Sequence, residues 1–210
     1  TRITYSADGT DAISKSMKNL HRLNDVMKTE KLLVENGNER SLKTDRTNYT
    51  SLYRSGSNHY LPSSFSTSIG DNTLETRAYY SYDDSLNVRS ITIDGMETVY
   101  IWSYKGQYPI AKIEGLTYSQ VESAVGASTI ASLLTESEPT AKEIVDLRTK
   151  ISGIKGFITT YTYKPLIGIT SLTMPNGLKT TYQYDGFGRL IKVLDHNGKV
   201  ISTNKYNYKK

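Results

Sequence analysis

The side chains best equipped for chemistry are three histidines and two pairs of carboxylates. His21, His59 and His196 are scattered, and none has a second His or Cys at the spacing that holds a metal ion. Asp83 with Asp84, and Asp185 with Asp195, are the carboxylates that general acid–base catalysis would draw on. An aspartate in such a setting more commonly forms a turn, its oxygen bonding the backbone two residues on. Asp195-His196-Asn197-Gly198 offers oxygens to calcium but lacks the spaced acids and the distal Glu of a calcium loop. Glycine-rich phosphate loops, nucleophile elbows and metalloprotease His pairs are all missing from the sequence. The expectation is no catalytic residue, no metal and no cofactor.

The regularity of this chain lies elsewhere, in its tyrosines and glycines. Tyr163 and Tyr184 are 21 positions apart, and so are Gly177 and Gly198. Two landmarks with one spacing make an internal repeat. Tyrosines at i and i+2, as in Tyr161/Tyr163, Tyr182/Tyr184 and Tyr206/Tyr208, share one face of a strand. Asn176-Gly177 and Asn197-Gly198 are hairpin signals between strand-like runs. One unit is thus a Tyr-bearing strand, a turn, a returning strand and a tight hairpin. Alone it cannot bury an apolar face; stacked side by side, such units form a continuous sheet.

These residues carry a resemblance. Tyr182-x-Tyr184-Asp185-x-x-Gly188-Arg189-Leu190, followed by Asp195-x-x-Gly198 and Tyr206-x-Tyr208, resembles the YD repeat of bacterial Rhs proteins and the related teneurins. Tyr161 to Gly177 looks like a neighbouring copy with Lys164-Pro165 in place of Tyr-Asp. Tyr80-Ser81-Tyr82-Asp83 looks like a degenerate copy, with Leu86 where the glycine should be. Tyr100 to Ile110 is similar to a segment of large exported YD-repeat proteins in which a helical insert precedes the terminal repeats. The clear repeats lie within residues 161–208, and a weaker likeness reaches back to about residue 60. The resemblance implies a structural set of Tyr161, Tyr163, Tyr182, Tyr184, Asp185, Gly188, Arg189, Leu190, Gly198, Tyr206 and Tyr208, with Asp185 capping its turn and Arg189 pairing nearby. Rhs proteins that release a toxin share an Asp-Pro-x-Gly-Leu core, and these 210 residues hold no Asp-Pro pair.

Composition bounds the rest. The net charge is +5, yet Lys and Arg are interspersed with acids and no run of five like charges occurs, so nucleic acid is not an expected partner. Seventeen tyrosines stand against three phenylalanines. Tyr suits half-buried strands, where its ring packs and its hydroxyl finds a partner. No cysteine means no disulfide framework. There is no apolar run long enough to span a membrane, and no signal peptide. The sequence is read as the C-terminal piece of a longer protein, extracellular or at the cell surface, whose export signal lies outside it.

The predicted fold is mainly β, a twisted antiparallel sheet of consecutive hairpins with a short N-terminal helix and a small helical insert. Residues 1–116 form the N-terminal hairpin region, with Ile13, Met17 and Leu20 marking a helix over 11–24. Asn36-Gly37 turns one hairpin, 55–58 is read as loop, Leu61-Pro62 leads into a strand from Ser64, and Gly70 turns the next hairpin. Residues 117–152 are the insert, with capping boxes at Ser119/Glu122 and Thr140/Glu143, laid over a sheet edge or face. Residues 153–210 are the repeats, the whole forming one continuous structural unit. The expected function is a non-enzymatic wall or scaffold segment of a YD-repeat protein, partnered by the remainder of that protein and prone to self-association through its sheet edges. The alternative is an adhesin-like module that binds a surface glycan or protein along Tyr100, Trp102 and Tyr104.

Overall fold

The computed structural model describes residues 1–207. It is mainly β, with thirteen strands and four helices among the described residues, in two compact units that divide between Gly95 and Met96.

In the first unit, strands β1 (Arg2–Tyr5), β2 (Val26–Glu35), β3 (Asn38–Arg54), β4 (Ser57–Ile69), β5 (Glu75–Tyr82) and β6 (Val88–Ile93) each pair antiparallel with the next. Asn36 and Gly37 have φ of 50° and 77°, the primed turn that matches strand twist. Ser55 and Gly56, at 50° and 81°, do the same between β3 and β4. This corrects the loop expected over 55–58: β4 begins at Ser57, and Leu61-Pro62 lies inside it. Proline cannot donate to a ladder, and the sheet accommodates it with a bulge. Register slips opposite Pro62, leaving Ser63 as the extra residue with its hydroxyl donating to the Asn48 carbonyl at 3.2 Å.

Helix α1 (Ala12–Asn19) is shorter than the 11–24 expected. Asp11 caps it, accepting from the Ser14 N–H at 3.0 Å, and Gly9 lets the chain close on it: a Cβ there would stand 2.1 Å from Ser14 Oγ. The helix stops because His21 turns left-handed, φ 56°, and the Arg22 N–H returns to the Met17 carbonyl at 2.9 Å. Leu20 and Leu23 continue the apolar spacing but are exposed, so the period overshoots the helix. Two cross-strand contacts of the unit run hydroxyl to hydroxyl, Ser66–Thr76 (3.1 Å) and Ser81–Ser90 (2.7 Å).

The second unit runs β7 (Met96–Ser103), β8 (Tyr108–Glu114), helices α2 (Tyr118–Val125), α3 (Ala127–Thr135) and α4 (Ala141–Gly153), then β9 (Phe157–Lys164), β10 (Gly168–Thr173), β11 (Lys179–Tyr184), β12 (Leu190–Leu194) and β13 (Val200–Thr203). Strands β7 to β13 pair antiparallel in sequence order. Helix α2 begins earlier than the Ser119/Glu122 box suggests. Thr117 is the cap, its N–H donating to Gln120 Oε1 at 2.8 Å while its Oγ1 accepts from the Gln120 N–H. Thr140 and Glu143 form the box expected of them, with the Thr140 N–H 2.7 Å from Glu143 Oε2.

The helices cover a face of the sheet. Strands β8 and β9 pair directly, Ile113 opposite Ile158, so no edge opens between them, and the helices pack on β7 and β9. Val121, Val125, Leu133, Ile144, Leu147 and Ile151 meet Val99, Ile101, Ile113 and Ile158 in one buried core. The burial of each such aliphatic chain contributes about 1.5–3 kcal/mol. Arg148 fastens the insert at one end. Its guanidinium donates to the carbonyls of Ile158 (3.1 Å), Thr173 (3.0 Å) and Met174 (2.6 Å) and to Thr160 Oγ1 (3.1 Å). Burial lowers its pKa. Arg148→Met keeps the apolar stem but orphans these acceptors; a loss of about 2 kcal/mol is expected in denaturant titration, since bonds to charged groups are worth about 1.5–3 kcal/mol. A variant as stable as the parent would show that water replaces the guanidinium without cost.

Candidate functional site: turn cages and tyrosine straps

Three turns close hairpins with one geometry. After Tyr184, the Asp185 N–H donates to the Arg189 carbonyl at 2.9 Å and the Gly188 N–H to the Asp185 carbonyl at 3.0 Å. Asp185 Oδ1 accepts from the N–H of Phe187 (2.9 Å) and of Arg189 (3.0 Å). Asp195 does the same for Asn197 (2.9 Å) and Lys199 (2.8 Å). Asp83 does so for Ser85 (2.9 Å) and Asn87 (2.9 Å). The flanking register is also shared, with Tyr82 opposite Val88, Tyr184 opposite Leu190 and Leu194 opposite Val200, each beside a one-residue shift. A fourth turn keeps the backbone bonds with Met174 in place of Asp. There Asn176 Oδ1 accepts from the Leu178 N–H at 3.0 Å.

The fourth residue of the cage must be left-handed. Gly188, Gly198 and Gly177 have φ of 75°, 79° and 85°. Leu86 takes the same conformation at φ 67°, so the degenerate copy builds the same turn and carries its strain in a leucine backbone. Only one cage has a cation at its fifth position seated on the aspartate. Arg189 Nε lies 2.8 Å from Asp185 Oδ2, and the guanidinium stands 5.2 Å from the Phe187 ring and 4.5 Å from the Tyr206 ring. Hydrogen bonds from the Arg189 side chain, then from its N–H, hold the Asp185 carboxyl below the usual carboxylate range. The lowered pKa gives stability that is complete above the unfolded value of about 3.9 and declines as pH falls below it. Asp185→Asn is expected to flatten that acid limb in melting temperatures measured from about pH 5 to pH 2. An unchanged acid limb would place the titration elsewhere.

The tyrosines act as straps. Tyr184 Oη donates to the Ile169 carbonyl at 2.8 Å, Tyr82 to Pro62 at 2.7 Å, Tyr163 to Pro109 at 2.9 Å and Tyr206 to Leu190 at 3.0 Å. Each hydroxyl satisfies a carbonyl at least 15 residues back in the chain. Phenylalanine would leave that carbonyl wanting, which is a reason for Tyr at these four positions. Gly168, outside the expected structural set, belongs to this device, because a Cβ there would stand 2.7 Å from Tyr184 Oη. Tyr161 and Tyr182 are half-buried neighbours of the straps, and Leu190 opens β12. Tyr208 lies outside the described residues.

The row Tyr100, Trp102 and Tyr104 is not one row. Tyr100 and Trp102 are half-buried on β7, whereas Tyr104 is 3% exposed, past the strand end at φ 54°, and faces the core. Its hydroxyl accepts from the Tyr163 N–H at 3.0 Å, and its ring meets Tyr108 and Tyr163 edge-on at 5.6 and 5.8 Å. Tyr108 and Tyr163 stack at 4.8 Å. Burial, then neighbouring phenols, pushes the Tyr163 hydroxyl up to about 12. This cluster ties the β7–β8 turn to β9, with the Leu166 N–H donating to Tyr108 Oη at 3.1 Å. His21, His59 and His196 fall in separate places. Among the described residues no three His, Cys, Asp or Glu side chains gather as a metal site would need. No helix among them is long and apolar enough to cross a membrane.

Residues 168–200 match the family model described as RHS Repeat. No curated protein matches the chain. Among solved structures it is similar to a chain of TcdB2-TccC3-Cdc42, at TM-score 0.45 and 10% identity over 90% of this chain. It is likewise similar to a chain of TcdB2-TccC3-TEV, at TM-score 0.44 and 11% identity over 89%. The present chain spans 10% of the length of each. The matched span begins at the glycine under Tyr184 and contains two of the three aspartate cages, those of Asp185 and Asp195, so the similarity to an RHS repeat rests on residues 168–200.

Proposed function

We propose that this chain is a non-enzymatic scaffold segment of a longer, exported or cell-surface YD-repeat protein, supplying strands to its β-rich wall. One observation carries the reading. The polar groups of the repeat are spent on the chain's own backbone: Asp185 and Asp195 on turn N–H groups, and the tyrosine hydroxyls on carbonyls. A residue set that satisfies backbone groups fixes register and leaves little for a substrate. The similarity to an RHS repeat at 168–200 supports the same role. Its partners would be the remaining strands of the parent protein. Strand β13, exposed at all four residues, offers them an edge and in isolation would pair with a second copy.

The test is a glycan and polysaccharide array probed with the whole chain and with Trp102→Ala. No specific binding by either protein is expected. Binding that is lost in Trp102→Ala would make the half-buried Tyr100–Trp102 strand a recognition face and replace the scaffold role.

A further inference from the structure

Three Asn-Gly pairs stand in exposed tight turns, at Asn36, Asn176 and Asn197. They look alike in sequence, and the structure separates them. The Gly177 N–H donates to the Met174 carbonyl at 2.9 Å, and the Gly198 N–H to the Asp195 carbonyl at 3.0 Å. In addition, Asn176 Oδ1 is held by the Leu178 N–H at 3.0 Å. Around Asn197 the Asp195 cage immobilises the N–H groups on both sides of Gly198. Asn36-Gly37 differs. It is the two-residue tip of the β2–β3 hairpin, and neither the Gly37 N–H nor the Asn36 side chain makes a hydrogen bond among the described residues.

We propose that Asn36 is a site of spontaneous covalent modification, forming a cyclic imide with Gly37 in preference to the other two pairs. The Gly37 amide nitrogen gives up its proton and attacks Asn36 Cγ. A C–N bond forms between them, the bond from Cγ to the side-chain nitrogen breaks, and ammonia leaves with the proton. Water then opens the five-membered imide, placing OH on either carbonyl carbon and H on the ring nitrogen, to yield aspartate or its β-linked isomer. Electrons stay paired throughout, and water is the only co-reactant. The attack requires the Asn–Gly peptide to rotate out of its turn conformation. At Gly177 and Gly198 that rotation first breaks a backbone hydrogen bond and disturbs an Asx contact; at Gly37 it breaks neither. One hydrogen bond of ordinary net strength corresponds to about a fivefold difference in the population of the open form. The product sets a carboxylate between Glu35 and Glu39 at the hairpin tip, where like charges repel.

The whole folded chain would be held at mildly alkaline pH and body temperature and sampled over weeks. Cleavage after Lys and Arg places the three asparagines on separate peptides. Mass spectrometry then reads the gain from replacing NH2 by OH at each. Asn36 is expected to convert at least about fivefold faster than Asn176 or Asn197 when folded, since each of those must first lose about one hydrogen bond. That lead should shrink severalfold in denaturant. Conversion of Asn176 or Asn197 as fast as Asn36 in the folded chain would overturn the assignment. So would an equal lead for Asn36 in denaturant, which would trace it to neighbouring residues and not to the turn.

Discussion

Replacing Ile151 with alanine is expected to lower the unfolding free energy of the second unit by about 3 kcal/mol, the middle of the range for aliphatic truncation in a packed core. Ile151 is 0% exposed on α4. Its Cγ2 stands so near the chain reversal after the helix that a Cβ on Gly156 would lie 2.7 Å from it, and 2.3 Å from Leu116 Cδ1. Helix end, reversal and sheet face are therefore packed around one side chain, and little around it can collapse to fill the void. The measurement is simple because the chain's one tryptophan, Trp102, lies in this unit, so its fluorescence in a denaturant titration reports the second unit. A loss below about 1 kcal/mol would mean that the insert rests loosely on β7 and β9.

The second large effect concerns a backbone. Gly188→Val is expected to cost about 2–3 kcal/mol, since a β-branched residue is a steric outlier at φ 75°. Space is not the difficulty, because the nearest atom to a Cβ there, Ile167 Cγ1, is 3.5 Å away, an ordinary contact. Gly186→Val supplies the control. Gly186 has no positive φ and a Cβ there would meet nothing within 4 Å, so its replacement should leave the same fluorescence transition almost unmoved. Equal losses at both positions would show that bulk in the turn, and not handedness, sets the cost.

Much of this was legible in residue types whose backbone preference is local. Asn36-Gly37, the Thr140/Glu143 box and Asp185-x-x-Gly188 each declare their geometry within five residues, and the structure has that geometry. Features decided by distant partners were not legible. The apolar period of Ile13, Met17 and Leu20 ran past the end of α1, because a left-handed His21 stops the helix whatever follows. Pro62 looked like a strand boundary, yet a bulge with Ser63 absorbs it. Leu86 looked unfit for a turn that its Asp83 cage nevertheless imposes. Tyr104 continued the alternation of Tyr100 and Trp102 in sequence, but the chain leaves β7 at Ser103 and turns that ring inward. Arg148 follows Leu147 on α4, and its four acceptors lie at least ten positions away, where no local pattern could show them.

The central claim is that the repeat's aspartates hold hairpin turns closed by caging their N–H groups. Amide hydrogen exchange on the whole chain tests it most directly, read at Phe187 and Arg189, with Asn197 and Lys199 as the second cage. The account predicts that all four exchange well below the rate of an unstructured peptide, and that Asp185→Ala releases Phe187 and Arg189 while leaving Asn197 and Lys199 protected. Free exchange at these amides in the parent chain, or protection that survives Asp185→Ala, would contradict it.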